Sequence, residues 1–284
     1  MNTGSGREAS GCAGHTGRRK PAIFPLYIGF ILIVMYIPIV LVIVYSFNQS
    51  RLSSVWGGFT LAWYAELFRD RAMFEGLRTS LILGLLSSGL AAALGTLGAS
   101  GMAKVRSLSA RSGGIHRTME FLSILPIMVP EIIMGMIFLA FFSLLSLPPG
   151  MFTLVIAHTA FCVPYPYLLV RARLAGLDKS YVEAARIMGA GEMRAFYDIT
   201  LPLMLPAVVS GMLISFAMSF DDVIVSAFVA GVNTNTLPLI IYSRLKTGVT
   251  PKTNAMCTLL FVLTIVLCLS AAWLSMRSVR RQKK

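Results

Sequence analysis

Only 12 of the 284 residues are acidic, three are histidine, and charged residues of both signs make up 13% of the chain. A water-soluble globular domain carries roughly a quarter charged residues, so this composition excludes an ordinary soluble protein. Cysteine is scarce as well. None of the four stands in a Cys-x-x-Cys pair or at a Cys/His ligand spacing; Cys162, Cys257 and Cys268 fall in apolar runs and read as small apolar filler, and Cys12 lies near the N-terminus. No G-x-x-x-x-G-K-[ST] sequence is present, so ATP is not bound by the chain itself. No His/Asp/Glu set sits at catalytic spacing within one apolar run. No catalytic residue, metal site or bound cofactor is expected.

What the chain has instead is length of apolar sequence. Hydrophobic residues make up 56% of it, and the mean hydropathy is +0.75. Six runs, at about 23–47, 80–103, 121–145, 152–174, 205–229 and 255–276, reach the roughly 20 residues a helix needs to cross a bilayer core of ~30 Å. The expected fold is all-α, a polytopic membrane protein of six transmembrane helices. Lysine and arginine orient it. Arg7, Arg18, Arg19, Lys20, Lys104, Arg106, Arg111, Arg117, Arg171, Arg173, Lys179, Arg186, Arg194, Arg277, Arg280, Arg281, Lys283 and Lys284 fall on one side, and only Arg51, Arg69, Arg71, Arg78, Arg244, Lys246 and Lys252 on the other. The positive-inside rule places both termini in the cytoplasm. The expected organisation is a disordered basic tail at 1–22, a six-span domain at 23–276 and a basic tail at 277–284. The net charge of +13 follows from this topology and from contact with anionic membrane lipid, and nucleic acid is not expected as a partner. The first run is too long for a signal peptide and lacks a clear cleavage site, so it reads as an uncleaved span.

In the second run Gly84, Ser88, Ala92, Gly95 and Ala99 recur every three or four residues, a small-residue stripe that lets another helix approach closely. Pro126, Pro130, Pro164 and Pro166 bend the third and fourth runs, a feature tolerated where broken backbone is covered by protein or lines a cavity. Between the fourth and fifth runs, at about 175–203, helix-forming apolar and charged residues interleave from Leu177 to Tyr197, with Gly189 and Gly191 able to supply a left-handed turn. Two short amphipathic helices joined by a turn are expected there, with Glu183 near the positive end of the first.

Three acids fall well inside the apolar runs: Glu131, Asp221 and Asp222. Ionisable groups in a bilayer are costly and point to function, and their sign favours a cationic cargo over an anion such as sulfate. Asp221 and Asp222 are adjacent, so on a helix they point ~100° apart and do not face one point. One would face cargo while the other pairs with a neighbouring helix. Glu131 also suits a helix N-terminus, and Asp221 is expected, as the alternative, to bond broken backbone nearby. Tyr165, Tyr167 and Tyr242 can stack on alkylammonium groups or anchor at the membrane interface. His158, alone in the fourth run, reads as a hydrogen-bonded packing residue.

The segment Glu183-Ala184-Ala185, then Gly189, then Ile199-Thr200-Leu201-Pro202 resembles the loop by which permease subunits of ATP-binding-cassette importers dock onto their ATPase. Ser215 to Val229, Leu237 to Ser243, Pro130 to Met134 and Gly248 to Ala255 are similar to the second permease subunit of spermidine/putrescine importers, a family in which aspartate is commoner where Glu131 stands. This resemblance implies the type I importer permease fold, with Glu183, Ala184, Ala185, Gly189, Ile199, Leu201 and Pro202 as ATPase-coupling residues. It implies Asp221, Asp222, Glu131, Tyr165, Tyr167 and Tyr242 along a polyamine pathway. The implied partners are a second, homologous permease subunit, two ATP-binding-cassette ATPase subunits that bind ATP and Mg, an extracytoplasmic substrate-binding protein and the polyamine. The implied location is the bacterial inner membrane. A permease of the same architecture for another small cationic or organic solute is the nearer alternative; a passive channel or membrane-embedded enzyme is the more distant one.

Overall fold

The computed structural model describes residues 23–50, 55–108, 113–178 and 180–282; the expected tail at 1–22, with Cys12, and residues Arg51, Arg111 and Lys179 lie outside them. Helix α1, Ile23–Tyr45, is followed by a short hairpin closed by a bridge between Asn48 and Phe59. Then come α2, Ala62–Leu67, and the 38-residue α3, Arg71–Leu108. Helices α4, Gly113–Met128, and α5, Glu131–Leu144, meet at 106°. Helices α6, Met151–Cys162, and α7, Pro164–Ala175, run on as one span, because Val163 between them keeps helical angles. The loop that follows holds α8, Ser180–Ile187, and α9, Glu192–Ala195, and passes through a π turn, Phe196–Thr200, into α10, Leu201–Asp221. Helices α11, Ile224–Val229, α12, Leu237–Thr247, and α13, Pro251–Gln282, complete the chain.

Among the described residues four helical stretches are long and apolar enough to cross a membrane, the bent α4–α5 pair makes a fifth if it is one span, and the apolar part of α13, Pro251–Val266, is shorter. The six apolar runs are thus helical, as expected, but two of them are not continuous. The run at 121–145 breaks because Pro130 has no N–H to donate and pushes Val129 away from helical angles; Pro130 itself is extended, with ψ 136°. The run at 205–229 breaks at Asp222, also extended, with ψ 130°. Two other boundaries differ. Helix α3 starts well before residue 80, and α13 continues to Gln282 through the residues expected as a tail, since arginine, glutamine and serine extend a helix at little cost.

Helix α3 lies at the centre, packed on α7 and α10, while α5 packs on α11 and α1 packs chiefly on α13. The small-residue stripe of α3 makes the central contact possible: Ser88, Ala92 and Ala99 are buried, and Gly84 faces the ring of Phe216. Two glycines matter most. A Cβ on Gly95 would sit 2.8 Å from the Tyr167 backbone nitrogen, and a Cβ on Gly211 of α10 would overlap the backbone of Pro166 on α7. Tyr167, Val170, Met204 and Ala99 close this core.

At the end of α3 away from the α8–α9 loop, ion pairs gather four elements. Arg244 on α12 reaches Asp70 at 2.8 Å, and Lys252 on α13 reaches Glu66 of α2 at 2.6 Å and Asp70 at 3.6 Å. Burial pushes the Asp70 carboxyl up, but the Arg244 hydrogen bond and charge, the Met73 N–H and the Lys252 charge together hold it below its ordinary value. A carboxylate held low contributes stability above its unfolded value and loses that contribution as pH falls through the lower folded one.

Gly211→Ala is expected to lower stability by about 1–3 kcal/mol through backbone overlap, whereas Gly101→Ala on α3, with no atom within 4 Å of the new methyl, should be neutral or slightly stabilising; thermal unfolding of the purified complex in detergent compares them. On acidification through ~pH 4, the unfolding temperature of the wild type should fall more steeply than that of Asp70→Asn, and parallel curves would refute the Asp70 tie.

Candidate functional site

The two breaks meet. Pro126, Ile127, Val129 and Glu131 from the α4–α5 break, and Met218, Asp222 and Val225 from the α10–α11 break, line one cavity with Met134, Phe161 and Tyr165. Its volume is about 70 Å³, below the roughly 300–1,000 Å³ of a complete small-ligand site. Most of its wall is apolar, and the polar atoms are two carboxyls and one phenol. Helices α5 and α11 both begin here, and Gly135 on α5 lets the ring of Phe228 on α11 come against it.

The two acids sit differently. Asp222 caps α11: its Oδ1 accepts from the Val225 N–H at 3.1 Å and its Oδ2 from the Ser226 N–H at 2.8 Å. Its side chain is 5% exposed, and Oδ2 lies 3.5 Å from Nε2 of fully buried His158. Glu131, in the first turn of α5, is exposed and forms no hydrogen bond or ion pair among the described residues. Asp221 is exposed at the end of α10 and does not line the cavity. Of the three acids singled out from sequence, Glu131 and Asp222 are brought together and Asp221 is set apart.

The tyrosines divide in the same way. Tyr165 lines the cavity; Tyr167, one turn face away, is 2% exposed in the α3–α7–α10 core; and Tyr242 on α12 carries the Lys246 ammonium 4.6 Å above its ring. Sequence reading missed Phe161, Met218 and Met134, apolar wall residues with no chemical mark. It also read Cys162 as filler, whereas its Sγ–H donates to the Ser215 carbonyl at 3.3 Å and the Ser215 hydroxyl donates back to the Cys162 carbonyl at 3.1 Å. Among the described residues no group of three or more His, Cys, Asp or Glu side chains is placed to hold a metal ion.

The second candidate surface is the α8–α9 loop. Gly189 turns it with φ +86°, a left-handed angle that costs a β-branched residue dearly. Glu183 lies in the first turn of α8, and Ala184 is exposed beside it, while Ala185 is buried against the rest of the loop. Ile199 sits in the π turn, and Leu201 and Pro202 open α10. The tip is apolar and bare: Ile187 is 87% and Met188 88% exposed, with Tyr181, Met193 and Tyr197 also exposed. An uncovered apolar tip of this kind is a candidate contact surface for another protein or a membrane. Ile187 and Met188 carry this surface although sequence reading gave them no role; their exposure was hidden because the pattern of α8 alone does not say which apolar face is covered.

The loop is fastened to the spans. Arg173 at the end of α7 donates to the Leu203 carbonyl at the start of α10, 3.1 Å away. Glu192 pairs with Lys104 at the end of α3 and with Arg186 at 3.3 Å. The Lys104 hydrogen bond and charge, against a small opposing effect of burial, hold the Glu192 carboxyl below its usual range. Arg171 on α7 pairs with Glu120 on α4.

Residues 93–284 match the family described as binding-protein-dependent transport system inner membrane component. The chain is 39% identical over 235 residues to the spermidine/putrescine transport system permease protein PotC of Haemophilus influenzae, covering 82% of this chain and 88% of that protein. It is 35% identical over 232 residues to the putrescine transport system permease protein PotI of Escherichia coli K12, covering 80% and 81%. Among solved structures, a bacterial ABC transporter involved in import of the acidic polysaccharide alginate matches with TM-score 0.69 at 16% identity, over 90% of this chain and 93% of that one. The MetNI methionine ABC transporter in an inward-facing conformation matches with TM-score 0.63 at 18% identity, over 78% and 99%. At these identities the structural likeness is one of fold. The broken spans, the turned loop and the sequence matches agree, and the chain belongs to the inner-membrane components of binding-protein-dependent transport systems, the multi-pass permease subunits of ABC importers.

Proposed function

We propose that this permease forms part of the path by which a polyamine, spermidine or putrescine, enters the cell, driven by ATP hydrolysed on a separate subunit. The observation that carries this reading is Glu131, an acid without an ion pair among the described residues, facing an apolar-walled cavity made by two interrupted spans. An ammonium group from cargo supplies the missing counter-charge, and the phenol of Tyr165 stands close enough to share the cavity with it. The names of the relatives support the same chemistry. Glu131 is the direct charge partner in this reading, Asp222 acts first as a cap, and Asp221 is outside the site.

The remaining partners follow from the family: a second permease that completes the pathway, two ATPase subunits and an extracytoplasmic binding protein that delivers cargo. Both termini and the α8–α9 loop face the cytoplasm, in keeping with the one-sided distribution of lysine and arginine. The bare Ile187–Met188 tip is the part of the loop that enters the ATPase. When the ATPase pair closes, the loop moves, and α7 and α10, joined through Arg173 and the Leu203 carbonyl, move with it.

ATP-dependent uptake of radiolabelled spermidine and putrescine into vesicles holding the complete transporter tests the cargo. Glu131→Gln should raise the half-saturation concentration about tenfold or more, with assembly unchanged; an unaltered value would remove Glu131 from the site. For the loop, Gly189→Val forces a β-branched residue to positive φ at about 1–3 kcal/mol and should cut uptake at least about tenfold in chains that still insert. Ile187→Asp should reduce co-purification of the ATPase subunits, and full retention would place the docking surface elsewhere.

A further inference from the structure

His158 does not line the cavity, yet its ring is wholly buried and touches both sides of the break in the fifth span. Nδ1 lies 2.8 Å from Oγ of Ser219, before the break, and Nε2 lies 3.2 Å from Oγ of Ser226, beyond it. The neighbouring Ser87 on α3 extends the chain of contacts, with its Oγ 2.9 Å from that of Ser219.

Counting protons fixes the direction of each bond. Ser87 Oγ lies 2.7 Å from the Leu83 carbonyl, which only accepts, so the single hydroxyl proton of Ser87 is used there. Ser87 therefore accepts from Ser219. Ser219 has then used its own proton, and what it receives from His158 is an N–H. Nδ1 carries the proton. In the neutral ring Nε2 is then the acceptor: its one lone pair takes the Ser226 hydroxyl, and it has no proton to give Asp222 Oδ2, 3.5 Å away.

Two consequences follow. The ring ties the end of α10 to the start of α11, across the one stretch of the fifth span whose backbone is extended. Asp222 also receives no proton from the ring, and its oxygens stay bonded to the Val225 and Ser226 N–H groups at the start of α11; a proton on Nε2 would draw Oδ2 toward the ring instead.

We propose that His158 is a positioning residue for cargo recognition: held as the neutral Nδ1–H tautomer by Ser87 and Ser219, it pins the two halves of the fifth span and so fixes the place of Asp222 at the cavity wall. This rests on the reading of the cavity as the cargo site.

Nitrogen-15 NMR of the complete transporter in lipid, with histidine labelled and the His158 signals assigned by their loss in His158→Asn, reads the tautomer. One protonated nitrogen, Nδ1, and one bare nitrogen are expected; a protonated Nε2 overturns the proposal. Spermidine uptake supplies the second readout. His158→Leu, which loses both bonds, should raise half-saturation about tenfold with a smaller change in maximal rate. His158→Asn places an amide nitrogen where Nδ1 was, keeps the bond to Ser219, and should recover part of that loss. An unchanged half-saturation in His158→Leu, or an equal loss in both variants, overturns the positioning role. If His158→Leu does not assemble, Ser226→Ala, which cuts only the link to α11, carries the same test with a smaller expected rise. A wild-type transporter that takes up neither spermidine nor putrescine overturns the cargo reading, and the pin across the break is then decided by the NMR result alone.

Discussion

A helix interrupted inside a bilayer leaves backbone N–H and C=O groups where no water satisfies them, and each such group costs several kcal/mol. Everything at the centre of this permease depends on how that cost is met. At the α4–α5 break the residue is proline, which has no N–H to leave bare. At the α10–α11 break, Asp222 spends both carboxylate oxygens on the first free N–H groups of α11. The two breaks are not equally enclosed by this chain: Met128, Pro130 and Glu131 at the first are exposed, whereas Asp222 at the second is half-buried. The cap has an electrical side as well. Helix N-termini carry partial positive charge, and Glu131 and Asp222 stand at the starts of α5 and α11.

The cavity and the α8–α9 loop are far apart but share the same two elements. Helix α10 begins at the loop and ends at Asp222; at 1.5 Å per residue its 21 residues span ~31 Å. Helix α7 holds Tyr165 at the cavity and Arg173 at the loop. The glycine contacts press these helices together over backbone atoms, with Gly211 against Pro166 and Gly95 against Tyr167. Such close packing deforms little, so a displacement at one end is carried to the other as a rigid-body tilt. The exposed ion pairs around Glu192 add little energy individually. Their effect is geometric, since they hold the loop to the end of α3.

Much of this was legible in the sequence. Long apolar runs give helices because lipid offers the backbone no other partner, and the loop could be read from Gly189 and the alternation around it. The break at Pro130 follows from proline stereochemistry, although its angle does not. The break at Asp222 was less visible: an aspartate three and four residues ahead of Val225 and Ser226 is a helix-cap pattern, but inside an apolar run it reads equally as a functional charge. Tyr165 and Tyr167 show the limit most clearly. Two residues apart on one helix, they are chemically identical, and only the neighbours brought in by α3 and α10 decide that one lines a cavity and the other fills a core. Tyr242 is a similar case: it lies on α12 under Lys246 and does not line the cavity, a placement set by the whole fold and not by its own residue type.

Helix α1 has the opposite character to α3. Nearly all of its apolar surface is uncovered by the rest of the chain, and its principal neighbour, α13, is the last element in the sequence. This contact therefore forms only after every helix between α1 and α13 has been made. A chain cut short before α13 would lack the principal partner of α1 among the described residues, and α1 would keep its place in the membrane but lose its place in the bundle.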